Sequence, residues 1–338
     1  MKLIVLTKQF GNYTGATVST IEILRRISKN FDKVIVITLK SENVHIDNVT
    51  VKIAKNYLDL FNKIKKNNLK DTIGYSDDHL GFIFSLFNIK YVHTYHGNWP
   101  DARFLNKEMY IKSFYFMPLY KRTIHNASFV ISVSKYMQKQ FVNKYNKNNS
   151  VIYNGIKQSD SYYRQENKEN KSKRYLMVGN IDERKYKKAI KIFDLLQSKH
   201  FNKTIDIYGG LIDSSIVSRL KKYNFVNIKG MVNKINFQDY DAMIYTSASE
   251  NLPVSIVEAI INQVPVIAFN VGGISEVIKN NENGYLLSAN NYMDFVNKIN
   301  KVADLKIPIE NINLVKRSFN WDNSAQQYYQ IFLKIMEN

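Results

Sequence analysis

Two carboxylates, Glu250 and Glu258, lie eight positions apart in the stretch Ser247–Leu287, SASENLPVSIVEAIINQVPVIAFNVGGISEVIKNNENGYLL. Asn251 is a residue of N-cap type and Pro253 is tolerated in a first helical turn, so a helix is expected to begin there. Glu250 then sits in the loop before the helix, and Glu258 about one and a half turns along it. A buried strand is expected over Pro265–Phe269. The turn Asn270-Val271-Gly272-Gly273 is expected to open a second helix carrying Ser275 and Glu276. Two helix N-termini aimed from neighbouring strand ends into one crevice would gather anions, phosphates above all. Acids beside such a cradle suit a ligand with both hydroxyls and phosphate, and a nucleotide-sugar has both. Read as structure alone, the pair is an ordinary helix-start acid and a solvated one.

The elements that must hold these residues alternate strand and helix along the whole chain, which predicts parallel sheets covered on both faces. Strands are expected at Leu3–Leu6, Val34–Thr38, Asp71–Tyr75, Tyr91–Tyr95, Ser128–Ser134 and Ser150–Tyr153, with a helix starting near Gly15-Ala16. Two of these strands run into loops with titratable groups, Ser76-Asp77-Asp78-His79 and His96-Gly97; strand-end loops are where doubly wound folds bind ligands. The segment Lys157–Lys173 is polar and aperiodic and reads as a linker. A second series then begins with Arg174–Val178. Gly179-Asn180 follows, then Arg184-Lys185 at a helix start. A strand-end glycine followed by basic side chains can grip a diphosphate, although such clusters are often only solvated. Ile205–Tyr208 ends at Gly209-Gly210 and Val226–Lys229 at Gly230-Met231. The Asp239-x-Asp241 pair precedes a strand, Ala242–Thr246, and reads as structural.

Glu250-x7-Glu258, with Pro265-Val266-Ile267-Ala268, Gly272-Gly273, Glu276 and Asn283-Gly284 in order, resembles the donor-site block of family 4 glycosyltransferases, retaining enzymes of GT-B fold. The resemblance implies an α/β architecture of two doubly wound Rossmann-like domains facing across a cleft, with a C-terminal helix crossing back to the first. Residues 1–156 would form an acceptor domain, 157–173 a linker, 174–318 the nucleotide-sugar domain and 319–338 the returning helix. It further implies that Glu258 binds ribose hydroxyls and Glu250 a sugar hydroxyl, beside Asn251, Leu252, Pro253 and Val254. Gly272 and Gly273 would give close approach to sugar and phosphate, and Gly15, Gly179, Asn180, Gly230 and Met231 would line the donor site. Lys185 would meet the departing diphosphate, and His96 resembles the family's histidine near the reacting sugar. The chain departs from the pattern at Ala16, where a second glycine is usual, and at Asn180, where an arginine is usual; Arg184 is the candidate replacement. The family needs neither a metal nor another cofactor.

Lys and Arg number 48 against 29 Asp and Glu, a net charge of +19. Residues 1–160 hold 24 of these bases and 11 acids, so the excess is concentrated in the first half. That asymmetry suggests an anionic partner such as a membrane surface, against a background of composition rich in Lys and Asn. In RFLNKEMYIKSFYFMPLYKR, aromatic side chains interleave with Arg103, Lys107, Lys112, Lys121 and Arg122, as in a helix resting on anionic lipid; Pro118 is expected to kink or end it. The same pattern describes a core helix with a solvated basic face. The absence of cysteine excludes disulfides and thiolate metal sites and fits a reducing cytosol. Leu3–Leu6 is too short for a signal peptide and Phe82–Phe87 for a membrane span, so a cytoplasmic protein is expected, either soluble or peripheral on the inner face of the plasma membrane. The expected partners are a nucleotide-sugar, with UDP preferred, and a glycan or lipid-linked acceptor of a bacterial capsule, O-antigen or similar polysaccharide. Competing readings are a sugar-phosphate synthase of related fold with a soluble acceptor, a catalytically dead nucleotide-sugar sensor, and a nucleic-acid-binding protein. The last fits the charge but lacks any recognised motif.

Overall fold

The computed structural model describes residues 1–12, 14–67, 69–156 and 173–337. The chain divides into two compact units, Met1–Lys157 with Phe319–Asn338, and Gln158–Ser318. The expected linker lies, but for Lys173, outside the described residues.

The first unit holds seven parallel strands, β1 (Lys2–Phe10), β2 (Lys33–Ser41), β3 (Val49–Ile53), β4 (Thr72–Ser76), β5 (Tyr91–Tyr95), β6 (Phe129–Ser132) and β7 (Asn149–Val151), in the order β3-β2-β1-β4-β5-β6-β7. Alternation along β1 explains why the sheet must be covered twice. Leu3 and Val5 join one buried cluster, Ile4 and Leu6 another. The first cluster is closed by the helix Gly15–Ile27 and by the last helix, Trp321–Glu337, which contributes Trp321, Tyr328 and Phe332. Tyr328 shares a hydrogen bond of 3.0 Å with Thr94 on β5, and Arg26 Nε donates to Asp322 at 2.6 Å. At Gly155 a Cβ would stand 2.4 Å from the Trp321 ring and backbone, so the turn after β7 requires glycine to seat this helix.

The second unit holds six, β8 (Arg174–Val178), β9 (Thr204–Tyr208), β10 (Val226–Gly230), β11 (Ala242–Tyr245), β12 (Val266–Phe269) and β13 (Gly284–Leu287), in the order β10-β9-β8-β11-β12-β13. All described pairings are parallel. Its core gathers Ile205, Ile207, Ala242 and Ile244 from strands and Ile190, Phe193 and Ile299 from helices. Both units are thus doubly wound, with the order reversing beside β1 and beside β8.

Two expectations are corrected and a third is narrowed. The Gly272–Glu276 segment is a single 3-10 turn, not the start of an α-helix. Gly272 has φ +60°, which an α-helical start does not use. The helix after Glu250 spans Val254–Ile261, with Pro253 in the capping position and no side-chain cap, so Asn251 is not its N-cap. The helix Lys107–Asn126 runs through Pro118 without ending there. The hydrogen bond lost to the ring belongs to the Phe114 carbonyl, and both residues lie on an exposed stretch where water can replace it. Among the described residues no helix is long and apolar enough to cross a membrane.

Candidate active site

In the second unit β8, β9 and β10 finish side by side at glycines. The Gly179 N–H donates to the Tyr208 carbonyl at 2.8 Å, and the Gly209 N–H to the Gly230 carbonyl at 2.9 Å. Gly179 has φ +137°, and a Cβ there would stand 2.3 Å from Lys185 Nζ; the missing side chain is the space the lysine occupies. Lys185 is placed by the helix Glu183–Ser198, whose N-cap Asp182 accepts the Lys185 N–H at 2.8 Å. Its Nζ lies 5.4 Å from the centre of the Tyr245 ring and forms no ion pair among the described residues. Burial lowers the lysine pKa, as does the Arg184 charge, while Glu250 and Asp182 oppose them. An amine held at strand-end glycines with no anion attached is suited to a phosphate oxygen.

Arg184, its neighbour, is differently employed. The guanidinium forms an ion pair with Glu250 and donates to the Ser249 carbonyl at 2.9 Å and Ser247 Oγ at 3.2 Å. The Tyr245 hydroxyl donates to the same Glu250 oxygen, Oε1, at 2.8 Å. Burial alone would raise the Glu250 pKa, but the Arg184 and Lys185 charges and the Tyr245 hydroxyl outweigh it and hold the carboxyl below its ordinary value. Glu250 is therefore an anion whose Oε1 is fixed by Arg184 and Tyr245. Arg184 thus holds that acid, and all of these contacts run through its Nη1.

Gly272 and Gly273 close on the same loop. A Cβ on Gly272 would lie 1.9 Å from the Glu250 carbonyl oxygen, and the Gly273 N–H donates to the Asn251 carbonyl at 2.7 Å. The diglycine bend thus clamps the acid loop from behind. Asn251 and Pro253 are buried and Leu252 and Val254 partly so, and Glu258 is partly exposed on its helix. Asn180 is exposed and its Oδ1 accepts the Gly210 N–H at 3.1 Å. Gly230, at φ +72°, faces open space, and Met231 beside it is 81% exposed.

In the first unit, Gly15 opens its helix behind a Thr14–Thr17 capping box, with nothing near the position of its missing Cβ. His96 lines a cavity of about 270 Å³ with Thr7, Lys8, Asp77, Asp78 and His79. Burial lowers the pKa of His96 to about 4, so it is a neutral imidazole at pH 7. The sequence singles out His96 but leaves Asp77 and Asp78 without a role and does not point to Tyr245. A strand-end Asp-Asp-His is the visible signal for the first pair. For Tyr245 there is none beyond its distance of five residues from Glu250.

Of the basic residues in Arg103–Arg122, Lys112 pairs with Glu108, Lys121 lies over the Tyr145 ring and Arg122 over Phe82. Arg103 stacks on Phe104, and Lys107 is exposed. Phe104, Tyr110, Ile111, Phe114 and Tyr115 are all exposed beside them. Among the described residues no group of three or more His, Cys, Asp or Glu side chains is placed to hold a metal ion.

Comparisons with known proteins align with this division. The family model for glycosyltransferase family 4 matches residues 13–159, and that for glycosyl transferases group 1 matches residues 158–320. An uncharacterized glycosyltransferase of Methanocaldococcus jannaschii is 26% identical over 262 residues, covering 74% of this chain and 70% of its own. Among solved structures, HepE of Anabaena in complex with UDP and glucose superposes with a TM-score of 0.76 at 20% identity, over 98% of this chain and 99% of that one. The sucrose-phosphate synthase of Thermosynechococcus elongatus superposes with a TM-score of 0.81 at 16% identity, over 100% and 99%. At these identities the structural likeness establishes the fold.

Proposed function

Because the chain belongs to the GT-B glycosyltransferases, we propose that it moves a sugar from a UDP-sugar to a hydroxyl of a glycan with retention of anomeric configuration. In this reading Lys185 neutralises charge growing on the departing diphosphate, an effect worth several kcal/mol where donors are fixed in advance. Glu250 accepts a hydrogen bond from a donor-sugar hydroxyl, and the Asn251–Val254 backbone steadies the ring. Glu258 accepts from the ribose hydroxyls, and His96 meets the reacting sugar as a neutral imidazole. No step requires a metal, and activity is expected to survive dialysis against EDTA.

The observation that carries this reading is the arrangement of Lys185 without an ion pair next to Glu250 fixed by Arg184 and Tyr245. The HepE structure, which holds UDP and glucose, supports the choice of UDP. Incubation with a panel of UDP-, GDP- and ADP-sugars, read by mass spectrometry of retained ligand, should show a UDP-sugar held by the native chain and lost from Lys185→Ala. Retention of no nucleotide-sugar at all would overturn the proposal.

The acceptor we favour is a lipid-linked glycan of a bacterial surface polysaccharide, used at the cytoplasmic face of the plasma membrane. The exposed Phe104, Tyr110, Ile111, Phe114 and Tyr115, with Arg103, Lys107 and Lys112 beside them, have the character of a surface that rests on anionic lipid. Lys121 and Arg122 are turned to aromatic rings elsewhere and contribute less. Sedimentation with phosphatidylglycerol vesicles should fall on replacing Phe104 and Phe114 with Ser, and unchanged sedimentation would remove the membrane from this reading. The likeness to a sucrose-phosphate synthase favours a second reading, a soluble sugar-phosphate acceptor. Product analysis with free sugar phosphates separates the two.

A further inference from the structure

Tyr245 ends β11, and its side chain meets both of the opposite charges of the second unit's site. It is 3% exposed. The Lys185 ammonium lies over its ring, with Nζ 5.4 Å from the centre. At the tip of the same ring the hydroxyl donates to Glu250 Oε1 at 2.8 Å. Burial and the Glu250 charge push the phenol well above its ordinary pKa, so it remains a donor at neutral pH. The backbone fixes the surrounding pieces to one another. The Lys185 carbonyl accepts from Thr246 Oγ1 at 2.7 Å, and the Arg184 carbonyl accepts the Ala248 N–H at 2.9 Å. The start of the helix Glu183–Ser198 is thereby stitched to the residues between Tyr245 and Glu250.

A buried ammonium and a buried carboxylate attract each other strongly, and Lys185 and Glu250 each act on the other's pKa. Yet Glu250 pairs with Arg184, and no ion pair joins it to Lys185 among the described residues. The four-carbon stem of a lysine is flexible, so this separation needs a cause. The tyrosine ring supplies one, because a ring face competes for an ammonium more effectively in a desolvated site than at a surface. Its hydroxyl, meanwhile, occupies part of the oxygen that Arg184 also holds. Were Lys185 to close on Glu250, a diphosphate would meet a neutralised cation and a sugar hydroxyl a carboxylate already taken.

We propose that Tyr245 is a positioning residue that keeps Lys185 and Glu250 apart, holding the ammonium on its ring face and the carboxylate on its hydroxyl, so that both charges stay available to a ligand. The role rests on the glycosyl-transfer reading for its purpose, because that reading gives the ammonium to a diphosphate and the carboxylate to a sugar. The tyrosine acts through these two groups and takes no part in bond making.

The test is a double-mutant cycle on the full chain between Glu250→Gln and Tyr245→Met, which refills the core with an adaptable apolar side chain. The readout is acetylation of Lys185 by a trace of acetic anhydride at pH 8, measured by peptide mass spectrometry against exposed Lys187. An ammonium captured by a carboxylate reacts more slowly than one held on a ring. With Glu250 in place, Tyr245→Met should therefore lower Lys185 labelling by about tenfold, the scale of a desolvated cation–π contact. In the Glu250→Gln background the same substitution should change it by about twofold or less, since the two residues act as a unit. A fall of equal size in both backgrounds, or no fall with Glu250 in place, would overturn the proposal. Should Tyr245→Met fail to fold, Tyr245→Phe decides: the ring is kept, so labelling should stay within about threefold of native, and a larger fall would overturn the proposal. Isothermal titration with UDP ties the role to the reaction. Tyr245→Met should bind UDP more weakly than the native chain, and equal binding by the two would also overturn the proposal. A native chain that binds no UDP would instead count against the glycosyl-transfer reading, while the labelling cycle would still decide whether Tyr245 holds the two charges apart.

Discussion

A Cβ on Gly272 would stand 1.9 Å from the carbonyl oxygen of Glu250, closer than any side chain can come. Because Gly272 also has φ +60°, the position refuses other residues on two grounds, contact and backbone. The carboxylate of Glu250 is therefore placed partly by a residue that touches only its backbone.

Gly272→Ala should push the acid loop outward and lower kcat/KM by about 10- to 100-fold, since small displacements of positioning groups are costly. Thermal stability should fall by only a few degrees, as expected for a change of about 1–2 kcal/mol confined to one loop. Full activity in steady-state kinetics would show that the clamp has no catalytic consequence.

Arg184→Met leaves Glu250 buried without its ion-pair partner, a change that typically costs about 3–5 kcal/mol. Burial pushes the Glu250 carboxyl up, and the Arg184 charge does most to hold it below its ordinary value, so removing that charge raises the pKa. A depressed carboxyl stabilises the fold above its unfolded pKa and loses that effect as pH falls. The native protein should therefore gain stability over the variant at pH 7 and lose the advantage progressively in acid. Differential scanning calorimetry at pH 4 and pH 7 reads this directly.

Lys185→Ala should lower kcat by about 100- to 1,000-fold, the scale on which one preorganised electrostatic donor acts. Gly179→Ala should imitate it in part, because a methyl group there would stand 2.3 Å from Lys185 Nζ and displace it. Isothermal titration with UDP should show weaker binding in both. The flexible end of the lysine can move aside, so the glycine variant should be the milder.

Burial raises the pKa of Asp77 to about 6, with the Thr20 hydrogen bond opposing. A raised carboxyl is no burden below its unfolded pKa, and its cost grows as pH rises through the folded value. Asp77→Asn should thus stabilise the protein at pH 8 and give little at pH 4. Chemical denaturation at the two pH values checks the sign. A variant stabilised equally at both would show that ionisation of Asp77 is not the cause.

The sequence carried the sheets well, because a parallel strand buried on both faces is a short apolar run and β1, β8 and β12 are of that kind. A strand-end glycine was legible for a related reason, since Gly179 falls where an apolar run stops. The half-exposed edge strand β3 was not foreseen, because VTVKI has neither a full apolar run nor clear punctuation. The apolar spacing after Gly272 imitated a helix that the positive φ at the glycine does not begin. At the site, charge type was visible but pairing was not. Arg184 and Lys185 look alike in a sequence; which one meets Glu250 is decided by a loop about sixty residues later. The unpartnered Asp77 oxygen depends on where Thr7 and Thr20 point, and neither direction is written locally.

The last helix completes the first unit, and this bears on the order in which the protein can fold during synthesis. Trp321, Tyr328 and Phe332 emerge from the ribosome only after every strand of both sheets. Until then the cluster of Leu3, Val5 and Ile21 is covered by the helix Gly15–Ile27 alone. The second unit, whose residues are contiguous, can finish first. A chain truncated after residue 318 and released should therefore present a protease-resistant second half and a first half that chaperones still hold.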